Sequence, residues 1–100
     1  MYRGTTPTLN FVFDIDLEQL NIESFYVSFK QGNEIILEKE LQDLAITKNK
    51  VSIQLTQQET LKMSTNNVVY IQGRIKIDGK AYATNIIKTT LSDVLKEGEI

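Results

Sequence analysis

Three carboxylates recur at every second residue: Asp14, Asp16 and Glu18. On an extended strand that spacing puts all three on one face, where they could bind calcium or serve acid–base chemistry. A solvated strand face with its exit loop is the better reading. Calcium sites recruit further oxygen ligands and a fixed turn glycine, and no second carboxylate cluster is aimed at this one. A second group is basic and aromatic. Lys48 and Lys50 flank one turn, Arg74, Lys76 and Lys80 surround another, and Tyr70 and Tyr82 lie nearby. Such a surface could hold a nucleic-acid strand by charge and stacking. However, the 100-residue chain has 11 Lys and Arg against 13 Asp and Glu, a formal net charge of -2, and no arginine cluster. Lysines guarding exposed strands are the better reading, and nucleic acid is not an expected partner. Glu34, Glu38 and Glu40 with Lys39 read as another solvated face.

The chain contains no cysteine and no histidine. This removes disulfides, thiolate metal sites and the commonest nucleophile–base pairs. Serines and threonines are plentiful, but no histidine or obvious lysine base stands ready to activate one. The five glycines are scattered and form no phosphate loop. The expectation is a chain without catalytic, metal or cofactor-binding residues. No run approaches 18 apolar residues, so no membrane partner is expected, and Met1 to Thr6 lacks the apolar stretch of a secretory signal.

The elements that would carry these groups follow a period of two. Leu9, Phe11, Phe13 and Ile15 alternate with polar neighbours. Phe25, Val27 and Phe29 form a second alternating strand, and Gln31-Gly32-Asn33 a turn. Glu34 to Lys39 is a short strand with Ile35 and Leu37 on one face and Ile36 on the other. Leu44 and Ile46 precede the turn at Lys48-Asn49-Lys50, and Val51, Ile53 and Leu55 complete a hairpin. Thr56-Gln57-Gln58-Glu59 has capping-box spacing and predicts one or two helical turns, with Leu61 plugging the core. Val69, Ile71, Gly73, Ile75 and Ile77 run into Asp78-Gly79, a preferred two-residue hairpin turn. A strict two-residue loop pairs Ile77 with Lys80, Ile75 with Tyr82, Gly73 with Thr84 and Ile71 with Ile86. Tyr82 and Ile86 would then share the core.

Seven strand-like runs at about ten-residue spacing predict a single all-β domain over residues 1–100. The fold expected is an antiparallel immunoglobulin-like β-sandwich with one short helical turn. Residues 1–7, ahead of the first strand, are expected as a flexible arm and residues 96–100 as a loose tail.

The opening Met1-Tyr2-Arg3-Gly4-Thr5-Thr6-Pro7-Thr8, leading at once into an alternating strand, resembles a family of small proteins of about this length. They are encoded among the virion-structure genes of tailed phages and prophages of Gram-positive bacteria. Val51 to Leu61, and Asp78 to Ile87 with Asp93-Val94-Leu95, look like the same family. More distantly, the layout is similar to the immunoglobulin-like N-terminal domain of phage baseplate upper proteins. The resemblance implies a non-enzymatic structural or accessory part of the tail, baseplate or capsid decoration. Such a part would be made in the host bacterial cytoplasm and reside in the virion. Its partners would be other virion proteins, or itself as a homo-oligomer. Tyr2, Arg3 and Pro7 are the expected contacts, on an arm that could add a strand to a neighbour's sheet and whose removal would leave the fold intact. The rival reading is a carbohydrate-binding or adhesive module using Tyr26, Tyr70 and Tyr82. An enzyme acting through Asp14, Asp16 and Glu18 ranks behind both.

Overall fold

Alternating apolar residues hide one face of a strand and leave the other wet, so two such sheets must close on each other. The computed structural model, which describes residues 1–100, shows that solution. Its strands are β1 (Thr8–Val12), β2 (Ile22–Gln31), β3 (Glu34–Glu40), β4 (Ala45–Thr47), β5 (Lys50–Gln54), β6 (Val69–Ile77), β7 (Lys80–Ala83) and β8 (Ile87–Thr89). One helix, α1 (Gln57–Leu61), and 3₁₀ turns at Leu17–Gln19 and Leu41–Asp43 join them.

One sheet has the order β1-β5-β4; the other has β3-β2-β6-β7, with β8 also pairing with β6. All strand pairs are antiparallel. An immunoglobulin domain places strands B, E and D in one sheet and C′, C, F and G in the other. The present order matches this when β1 is B and β7–β8 is G, and no strand A pairs with β1. Phe11, Phe25, Ile53 and Ile75 meet in one interior with Val27, Phe29, Val51, Leu55 and Ile71. Phe13 packs edge-on against Phe25 with ring centroids 6.4 Å apart.

Three local departures from strict alternation matter. A bulge between Phe29 and Lys30 pairs Phe29 with Leu37 but Lys30 with Ile35. Ile35 and Leu37 therefore do not share a face, and Ile35 is exposed. A second bulge splits the last predicted strand into β7 and β8, giving eight strands where seven were expected. The register holds at Ile77–Lys80 and Ile75–Tyr82, but Ile71 pairs with Ile87 rather than Ile86. The cause is Thr84: its N–H donates to the Gly73 carbonyl at 2.9 Å, while its hydroxyl replaces its own carbonyl as acceptor for the Gly73 N–H, also at 2.9 Å. Third, the core beneath α1 is plugged by Thr60 and Met63, at 0% and 1% exposure, while Leu61 is half-buried.

The crossover from β5 to β6 is set by the capping box. The Thr56 hydroxyl accepts from Glu59 N at 3.1 Å, and the Glu59 carboxylate accepts from Thr56 N at 2.8 Å. Glu59 also pairs with Lys39 Nζ at 2.6 Å, tying α1 to β3. Burial pushes the Glu59 carboxyl up, but the bonds from Lys39 and Thr56 outweigh it and hold its pKa below the usual glutamate value. A depressed folded-state pKa means that the unfolded chain takes the proton first. The contribution is therefore complete above the ordinary glutamate pKa, about 4.3, and disappears as pH falls through the lower folded value. Urea melts from pH 7 to pH 3 should show a loss of stability in that window which Glu59→Gln makes shallower.

Candidate functional site

Residues 1–7, expected as an arm, lie docked on the body. Tyr2 forms a parallel bridge with Ser92; Ser92 N donates to Met1 O at 2.8 Å and Arg3 N to Ser92 O at 3.0 Å. Gly4, at φ +77°, lets the chain pass between the Leu61 side chain and the Gly98 carbonyl. The Thr60 hydroxyl donates to Thr5 O at 2.9 Å, and Leu55 N donates to Pro7 O at 2.9 Å. The tail is also held, since Ile100 N donates to the Gln57 side chain at 3.3 Å.

The three expected contact residues thus have separate fates. Arg3 is committed internally: its Nε donates to Met63 O at 3.2 Å and its Nη2 to Leu61 O at 2.9 Å, satisfying carbonyls at the end of α1. Pro7 extends the β1–β5 ladder. Only Tyr2 is largely exposed. Arg3→Ala should cost about 2 kcal/mol, since hydrogen bonds from a charged group contribute roughly 1.5–3 kcal/mol. Deleting residues 2–7 should cost more, contrary to the expected neutrality. The urea midpoint of each variant checks both.

The other sequence candidates are also dispersed. Asp16 accepts from Glu18 N at 3.0 Å and caps the Leu17–Gln19 turn, and Glu18 accepts from Lys48 N at 2.9 Å. Asp14 stays in solvent. The three do not converge, and no group of three metal-ligating side chains forms anywhere. Asp78 and Gly79 have φ of 48° and 81°, as a type I′ turn requires, and Gly79 N donates to Glu23 at 2.8 Å. Arg74 and Lys76 point outward from β6 beside Tyr26, whereas Tyr82 points to the opposite face. Lys88 sits 5.7 Å over the Tyr70 ring. The basic and aromatic residues therefore form no single platform.

What the fold builds instead is an open side. The Leu41–Asp43 turn carries the chain across the side where β3 and β4 meet, and residues 1–7 cross from Ser92, just after β8, to the start of β1, but nothing bridges β1 and β7. Between those edges runs a groove of about 910 Å³, lined mainly by apolar residues including Phe11, Phe13, Leu17, Ile77, Tyr82 and Ile87. Its rim exposes Val12 (71%), Ile15 (51%), Tyr82 (52%) and Ile87 (43%). Tyr82 faces the interior as its pairing with Ile75 predicts, but no strand of the smaller sheet lies over it. Ile86 falls in the bulge, and Ile15 lies beyond the end of β1.

Both lips are unpaired backbone. Hydrogen bonds link Leu55 N to Pro7 O and Phe13 N to Asn49 O. By antiparallel alternation, odd residues of β1 bond to β5, while Thr8, Asn10 and Val12 turn their N–H and C=O groups to the open edge. Likewise Lys80, Tyr82 and Thr84 bond to β6, while Ala81 and Ala83 present theirs outward. A single sequence signal marks the groove: apolar residues on both parities of the first and last strands, Val12 beside Phe11 and Ile87 beside Ile86. Compared with known protein families, with curated proteins and with solved structures, the chain matches none.

Proposed function

We propose that this chain is a non-enzymatic structural or accessory protein of a phage or prophage virion, in the tail, baseplate or capsid decoration, acting through protein–protein contacts. The resemblance of Arg3-Gly4-Thr5-Thr6-Pro7 and the strand after it supports the virion setting. The observation that carries the contact function is the open side, where an apolar groove lies between two unpaired sheet edges. An extended segment of another virion protein would gain main-chain bonds from an edge and apolar cover from the groove. The test is mass spectrometry of particles purified from the phage or lysogen that encodes the chain. The wild-type chain should be present, and a folded Val12→Asp, Ile87→Asp variant should be lost from the particles. Absence of the wild-type chain, or unchanged incorporation of the variant, overturns the reading.

A second reading, a carbohydrate-binding module, draws on the outer face of the larger sheet. Tyr26, Ser24, Ser28, Glu38 and Arg74 line a depression of about 480 Å³, with Ser28 donating to Glu38 at 3.0 Å. A half-exposed aromatic beside polar side chains suits a sugar ring. A glycan array that binds the wild type but not Tyr26→Ala would favour it.

A further inference from the structure

The geometry points to a second copy of this chain as an occupant of the β7 edge, joined antiparallel about a two-fold axis at Tyr82. This deepens the reading of the open side as a contact surface and rests on it. The β3 and β4 edges are poorly suited. The β3 edge carries Glu34, Glu38, Lys39 and Glu40 and contains a bulge, and β4 is three residues long. The β7 edge carries Ala81 and Ala83, whose side chains obstruct nothing and whose N–H and C=O groups are free.

Its register is self-complementary. With Tyr82 opposite Tyr82 of the second copy, Ala81 faces Ala83 and Ala83 faces Ala81. Both are positions whose backbone groups point outward, so they form hydrogen-bonded pairs. The tyrosines fall on the intervening non-bonded pair, where side chains approach most closely. A two-fold axis requires this reciprocity.

Charge agrees with it. The one charged residue of β7, Lys80, lies opposite Thr84 of the second copy. The two Lys80 residues are then about 13 Å apart by strand rise, beyond a Debye length of about 8–10 Å. Each hairpin tip comes alongside the uncharged Asn85–Ile86 stretch of the other copy, so no like charges are opposed there. The exposed apolar side chains of Val12, Ile15, Tyr82 and Ile87 line the groove beside this edge. A stable interface covers about 800 Å² per partner, to which these side chains and the paired backbone would both contribute. The two larger sheets would fuse into one continuous sheet.

Sedimentation equilibrium of the full chain tests this. The wild type should approach twice the 11.4 kDa chain mass as concentration rises. Ala83→Pro removes an N–H that the β6 ladder does not use, so the fold survives while two symmetry-related intermolecular bonds vanish. Association should weaken on the order of thirtyfold. Tyr82→Asp should weaken it as well, and Tyr26→Asp, on the outer face, should not. A wild type that stays monomeric at millimolar concentration, or a dimer indifferent to Ala83→Pro, overturns the inference. If the dimer fails while Val12→Asp, Ile87→Asp still blocks incorporation into particles, the assembly reading stands without it.

Discussion

Phe25→Ala should remove most of the stability of this domain. Phe25 is 1% exposed at the centre of β2, with the Phe13 ring edge-on against it. Truncating a buried phenylalanine costs about 3–5 kcal/mol, and a domain of this length holds about 5–15 kcal/mol in total. The cavity has little means of collapsing, because β2 is fixed by ladders to β3 and β6 on both sides. A urea melt should show a much lower midpoint with an unchanged slope. Gly73 on β6 shares this site: a Cβ there would lie 3.2 Å from Phe25 Cε1 and 3.2 Å from Thr84 Cγ2. Gly73→Ala should therefore cost less in the Phe25→Ala background than in the wild type. Additive losses would show that the two positions do not compete for the same space.

The second large effect is expected at Gln31, the last residue of β2. Its buried amide donates to Ser64 O at 2.7 Å and to Asn67 O at 3.0 Å, and its carbonyl accepts from Ser64 N at 2.8 Å. One side chain thus satisfies three backbone groups of the loop between α1 and β6. Gln31→Leu keeps the volume and leaves all three without their partner. Each unsatisfied buried group costs roughly 1–3 kcal/mol, and part of the loop is wet enough for water to substitute. A loss of about 2–3 kcal/mol is expected on that basis. Hydrogen exchange should show the Ser64 amide losing protection more than amides in β5. An unaffected Ser64 amide would mean that the loop is held by something else.

The sandwich was readable in the chain because each element states its own period. Phe11, Phe25, Ile53 and Ile75 stand at alternating positions, and Asp78-Gly79 sets its hairpin register without help from elsewhere. What could not be read depends on distant residues. Arg3 looks like a free cation until Leu61 and Met63, far along the chain, bring their carbonyls to it. Asp14, Asp16 and Glu18 keep the spacing of a cluster, but Asp16 is spent on a turn and Glu18 on the Lys48 amide. The bulge at Thr84 is hidden because a hydroxyl can stand in for a backbone acceptor, and no periodicity records that choice. The groove is the hardest feature to foresee, since it is made by a strand that is missing. Tyr82 and Ile87 carry the sign of it, being apolar where the neighbouring sheet ends.

The central pairing of β2 with β6 also governs how the chain reaches its native state. It joins segments roughly 40–55 positions apart, from Lys30–Tyr70 to Ile22–Ile77, and non-local ladders of this kind place a protein among slow folders, on the millisecond-to-second scale. Local hairpins such as that at Asp78-Gly79 close in microseconds, so β6 and β7 can form early and wait for β2. During that wait the Ala81–Ala83 edge and Tyr82 are bare in every molecule. Refolding yield should therefore fall as concentration rises, and Ala83→Pro, which blunts the edge, should restore it.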